Sequence, residues 1–168
     1  MHRMLAAVAL LCLASPAFAE TPGAGNFGFG ASLGASTNPV AGGGVTLENA
    51  LNARYFITRE ILVSTAIGLS STEKVGTLFS IVGGCSYYFL RGPGHQLSPF
   101  VGGAFGVVSF SPSAANVDSS TGILFLLGGG LEYFFNQSFS IQVSEGLQLS
   151  TKPTNFAFVT RLGLTLFI

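Results

Sequence analysis

The chain has 168 residues, of which only 8% are charged, 23 are glycine and none is tryptophan. Its mean hydropathy is +0.58, whereas a soluble domain carries about a quarter charged residues. Seven Lys/Arg balance seven Asp/Glu, which argues against nucleic acid as a partner, since that needs a basic face.

The chain opens with MHRMLAAVALLCLASPAFA, which reads as a secretory signal peptide over residues 1–19. Arg3 gives a basic start, Met4 to Ala14 an apolar run too short to span a bilayer, and Ala17-Phe18-Ala19 a small-x-small cleavage site. The remainder, 20–168, is long enough for one domain and keeps a single cysteine, Cys85, so no disulfide framework is expected despite export. No later segment has the ~20 apolar residues of a membrane helix, because Pro and Gly interrupt every candidate. A chain too apolar for water, with no helical span, has a closed β-barrel as its remaining way across a bilayer.

Eight strands are expected, at 25–35, 44–57, 61–70, 77–90, 97–110, 121–135, 138–149 and 155–168. Each reaches the ~9–11 residues that a tilted membrane strand requires. The fold class is therefore all-β, an eight-stranded antiparallel up-and-down transmembrane barrel occupying 20–168. In the third strand Ile61, Val63, Ile67 and Leu69 alternate with Ser64, Ala66, Gly68 and Ser70. The seventh and eighth repeat this pattern, apolar on one face and small or polar on the other. The fourth and fifth are less distinct, since glycine and apolar residues occupy both faces. Tight polar turns (58–60, 91–96, 136–138) alternate with longer connections (36–43, 71–76, 111–120, 150–154). Such barrels put the former in the periplasm and the latter outside.

All four tyrosines, Tyr55, Tyr87, Tyr88 and Tyr133, lie just before a tight turn, which suggests a periplasmic-side aromatic girdle. Parity places Glu48, Asn52 and Arg54 on the lumen face of the second strand, Glu132 on the sixth and Arg161 on the eighth. The expected lumen charge network is Arg54 with Glu132 near the turns and Arg161 with Glu48 higher up. Separate solvation of each charge in a wet lumen is the alternative, because register is not set by pattern alone. Glu145 does not fit: alternation puts it on the lipid face, so either a bulge near Gly146 turns it inward or it lies by the outer headgroups.

The segments PFVGGAFGV (99–107), GGGLEYFF (128–135) and RLGLTLFI (161–168) resemble small bacterial outer-membrane barrels of the OmpX, OmpW and OmpA membrane-domain kind. That resemblance implies an outer-membrane location facing lipid and lipopolysaccharide. It also implies a C-terminal assembly signal, carried by Arg161, Gly163, Leu166 and Ile168, that the barrel-assembly machinery would read as a partner.

Three functions fit such a chain: a structural or surface-interaction barrel with a largely filled lumen, a narrow channel for small or apolar solutes, and a lipid-modifying enzyme. Eight strands enclose an interior just wide enough for side chains, which favours the first. An enzyme is not expected. The one histidine after the leader, His95, sits in a turn near Ser98 with no acid to orient it. No cofactor is expected either, and no metal, for want of ligand spacing. A lipocalin-like barrel, apolar inside, is the fold alternative.

Overall fold

The computed structural model describes residues 21–37, 45–72, 76–91, 95–113, 118–151 and 154–168. The expected signal peptide, 1–19, lies outside the described residues, as do parts of the longer connections.

Eight antiparallel strands form one closed barrel in sequence order, β1-β2-β3-β4-β5-β6-β7-β8, with β8 paired back to β1. They are β1 Phe27–Thr37, β2 Val45–Phe56, β3 Ile61–Thr72, β4 Gly76–Tyr88, β5 Leu97–Pro112, β6 Ser120–Asn136, β7 Phe139–Thr151 and β8 Thr154–Phe167. Following the register once round the barrel carries Phe27 through Tyr55, Val63, Cys85, Gly103, Leu127, Leu147 and Phe158 to Thr37. The ten-residue stagger between Phe27 and Thr37 obliges every strand to tilt, by about 35–45° in barrels of this kind.

The tight turns at one end are built by short polar side chains. Between β2 and β3 the Thr58 hydroxyl accepts the backbone N–H of Ile61 at 3.0 Å and that of Glu60 at 3.2 Å. Between β6 and β7 the Asn136 side-chain oxygen accepts the Ser138 N–H at 2.8 Å. Both are local side-chain mimics of a backbone turn.

The barrel is inside-out relative to a soluble protein. Leu51 is 70% exposed, Leu127 69% and Phe105 66%, and similar apolar side chains clothe the outer face of every strand. A contiguous apolar surface of this extent suits lipid, and polar side chains line much of the lumen. That removes the lipocalin-like alternative. Glycine packs some strands unusually close: a Cβ on Gly106 would lie 2.0 Å from the Ile81 carbonyl oxygen, and one on Gly130 2.1 Å from that of Val143.

Two corrections to the sequence reading follow from register. Tyr88 does not belong with the outward tyrosines: it is fully buried inside, because it succeeds outward Tyr87 and adjacent strand residues face opposite sides. Glu145 is neither turned inward nor raised to the outer rim. Pairing of β7 with β6 is continuous from Ser150 to Ser140, the only irregularity lying between Phe134 and Asn136. Glu145 therefore points outward and exposed, six residues from either end of β7.

Candidate functional site

The turn end of the lumen is closed by a floor of side chains. Phe56, Leu62, Tyr88, Phe100, Phe134 and Phe167 form one buried cluster, each the inward residue nearest the turn end of its strand or close to it. The rings pack edge-on or tilted, with centroids 5.6 Å apart for Phe56–Tyr88, 5.1 Å for Tyr88–Phe100 and 5.7 Å for Phe56–Phe167. Such pairs add ~0.5–1.5 kcal/mol each to the burial of the rings.

Just inside the floor sits a polar cluster drawn from five strands. Arg54 of β2 reaches across the lumen to Glu132 of β6 in a two-pronged contact, Nη1 to Oε1 at 2.7 Å and Nη2 to Oε2 at 2.8 Å. Arg54 also donates to the Thr165 hydroxyl of β8 at 2.8 Å and to the Tyr88 hydroxyl oxygen of β4 at 2.6 Å. Glu132 in turn accepts from the hydroxyls of Tyr88 and of Ser140 on β7. Glu132 and Ser140 are fully buried, and Arg54 nearly so. A planar guanidinium matches a carboxylate in two parallel hydrogen bonds, and the hydroxyls occupy the remaining lone pairs. This is how a buried position in the lumen tolerates a charge.

The floor is covered from the turn side by Arg91. Its guanidinium carbon lies 3.9 Å from the Phe56 ring centroid, 4.8 Å from that of Phe134 and 5.2 Å from that of Tyr88. Nη2 donates to the Pro22 carbonyl at 2.6 Å, which ties the segment before β1 across the barrel mouth. Among the described residues Nε and Nη1 are buried with no hydrogen-bond partner, and the guanidinium stacks over the ring faces. Burial pulls this guanidinium down to about 10, against the raising influence of Tyr88 and Glu132.

Beyond the floor the lumen opens into a cavity of about 200 Å³. Its lining runs from Arg54, Leu62 and Thr165 to Glu48, Ser70 and Gln148 at the far end. One wall is apolar, where Val82, Val108 and Leu124 pack with Leu78, Ala104 and Leu126 from β4, β5 and β6. On the other side Arg161 meets Glu48 at 3.4 Å and Gln148 at 3.5 Å, with the Arg161 and Glu48 side chains 30% and 20% exposed. The two predicted pairs thus differ in kind: one is buried and fork-like, the other longer and partly exposed.

The remaining candidates lie apart from this cluster. Tyr55, Tyr87 and Tyr133 all point outward near the turn end of β2, β4 and β6, and the Tyr133 hydroxyl donates to the Gln96 side-chain oxygen. Gly163 faces the lumen, whereas Leu166 and Ile168 face outward at 61% and 82% exposed. Phe167, between those two, turns inward and becomes part of the floor. His95 is exposed, and the Ser98 hydroxyl is buried and donates to the Leu90 carbonyl at 2.7 Å. Sequence reasoning missed Tyr88, Ser140, Thr165 and Arg91 as parts of the site. The first three were accessible through parity, since all face inward near the turn end. Arg91 carried no such signal.

The chain matches no protein-family model, and no curated protein matches it. Solved structures do. The N-terminal β-barrel domain of Pseudomonas aeruginosa OprF aligns with a TM-score of 0.62 at 17% identity, covering 85% of this chain and 98% of that one. Neisserial surface protein A aligns with a TM-score of 0.64 at 13% identity, covering 84% and 95%. The outer membrane enzyme PagL aligns with a TM-score of 0.51 at 18% identity, covering 82% and 97%. The chain has the fold of the small bacterial outer-membrane β-barrels. Identities this low carry the fold and nothing of the task, which the shared scaffold leaves open.

Proposed function

We propose that this protein is an integral outer-membrane barrel that does not conduct, serving a structural or surface-interaction role in the cell envelope. The observation that carries the reading is the closed turn end: an aromatic floor, backed on its lumen side by the Arg54–Glu132 cluster and on its turn side by Arg91. A solute entering the cavity from the other end meets a dead end. In this reading the tight turns face the periplasm and the outward tyrosines sit at that interface. The longer connections meet lipopolysaccharide or other surfaces outside, and Arg161, Gly163, Leu166 and Ile168 serve recognition by the assembly machinery. No catalytic role is included, because Ser98 is committed to a backbone carbonyl at 2.7 Å and His95 stands in a solvent-facing turn.

The test is conductance of the refolded chain in a planar bilayer. The wild type should be silent, while a Phe56→Ala/Phe134→Ala variant, which removes two rings from the floor, should pass ions. Discrete steps from the folded wild type would overturn the closed-lumen reading in favour of a narrow channel.

A further inference from the structure

We propose that the outer face around Glu145 is a lateral interface within the membrane, and that it pairs with the same face of a second copy of this chain. The proposal rests on the membrane-spanning reading above. Glu145 is the middle residue of β7, exposed, and set between outward Val143 and Leu147, which are 49% and 37% exposed. Around it lie outward Leu127 and Leu131 of β6 and Phe158 and Leu162 of β8, so the carboxylate stands in the apolar belt rather than at either rim. It has no hydrogen-bond or ion-pair partner among the described residues. Hydrocarbon offers no donor to a carboxylate, and a polar group in lipid-facing position is costly unless something supplies one. A second membrane-embedded protein brings such a donor to the face.

A second copy supplies it by symmetry. Directly across the sheet from Glu145, on its β8 side, is Thr160, whose exposed hydroxyl is a donor; on its β6 side is Gly129, which has no side chain. An acceptor and a donor side by side make a self-complementary face. A two-fold axis along the membrane normal would bring Glu145 near the copy's Thr160 and Thr160 near the copy's Glu145, offset in depth by about 3 Å because strands ~4.8 Å apart tilt by about 40°. The missing side chain at Gly129 lets the two walls approach closely, as small residues do at contacts within lipid. Any other partner would have to carry a donor of its own there. The same-chain pairing has it by construction.

The experiment measures association of the refolded chain in phosphatidylcholine vesicles over a range of protein-to-lipid ratios, using energy transfer between differently labelled copies. The wild type should dimerise. Glu145→Leu and Thr160→Val should each weaken the dimer at least about tenfold, since each removes two symmetry-related charge-assisted hydrogen bonds. Both variants should keep the heat-modifiable mobility of a folded barrel. A Leu147→Cys variant in a Cys85→Ser background should cross-link through a short bismaleimide, whereas the native Cys85, three strands away on β4, should not. Failure to float with the vesicles would sink the membrane reading and this proposal together. A chain that floats and folds but stays monomeric, or dimerises regardless of Glu145→Leu, or cross-links through Cys85 instead, overturns the proposal alone.

Discussion

The two lumen ion pairs invite a direct energetic comparison. Replacing Glu132 by Ala would strip Arg54 of both carboxylate contacts, at 2.7 and 2.8 Å, and leave the Tyr88 and Ser140 hydroxyls without their acceptor. A buried guanidinium without its counter-charge costs about 3–5 kcal/mol. Arg54→Met alone should cost about as much, because Glu132 would keep two hydroxyls and no cation. The double variant removes both charges and should be far less damaged than the sum, giving a coupling of about 3 kcal/mol or more. The same cycle on Arg161→Met and Glu48→Gln starts from a 3.4 Å contact between partly exposed side chains. Its coupling should stay below about 1 kcal/mol, as for other solvated pairs. Equilibrium urea unfolding in lipid vesicles, followed by circular dichroism, supplies the seven stabilities, the wild type being common to both cycles. Additivity within about 0.5 kcal/mol at the Arg54–Glu132 corner, or equal couplings at the two corners, would refute the argument that desolvation separates them.

Arg91→Ala should loosen the segment before β1, seen as faster amide exchange at 23–26, because the Pro22 anchor and the stacking on Phe56 disappear together. Arg91→Lys should restore little of this, since an ammonium lacks the planar face that stacks on a ring. Gly130→Ala should depress the folded yield on refolding, because its Cβ would meet a neighbouring carbonyl at 2.1 Å, whereas Gly83→Ala, with nothing within 4 Å, should refold like wild type.

The strand pattern was almost wholly legible, because lipid outside and side chains inside enforce strict alternation, and every strand end lies within about two residues of its expected place. Parity alone also identified Arg54 and Glu132 as lumen residues. What parity cannot supply is height, since that depends on the stagger of the barrel, which appears only when all eight pairings are known. Parity and nearness to the turns put Phe56, Tyr88, Phe100, Phe134 and Phe167 at the turn end of the lumen, but which of them touch depends on that stagger. Tyr88 was lost for a simpler reason. Its nearness to a turn suggests the girdle, whereas adjacent strand residues such as Tyr87 and Tyr88 must face opposite ways.

The buried cluster bears on register as well as on charge. Moving any one strand by two residues keeps every lipid-facing side chain outside and every lumen side chain inside, so the apolar pattern does not oppose it. Such a slip shifts the strand by about 6.6 Å, at ~3.3 Å per residue, which no fork-like contact survives. Arg54 on β2, Tyr88 on β4, Glu132 on β6, Ser140 on β7 and Thr165 on β8 meet within hydrogen-bonding distance only in the observed register. Slippage of any of these five strands leaves a buried charge or hydroxyl unpaired. Here the lumen discriminates between arrangements that the lipid treats as equal. The Arg54→Met/Glu132→Leu variant separates that role from stability: its barrel should unfold close to wild type, yet give doubled amide resonances along β2 and β6. A single sharp set would mean that the register is held by turns and glycine contacts instead, and that the cluster contributes to stability alone.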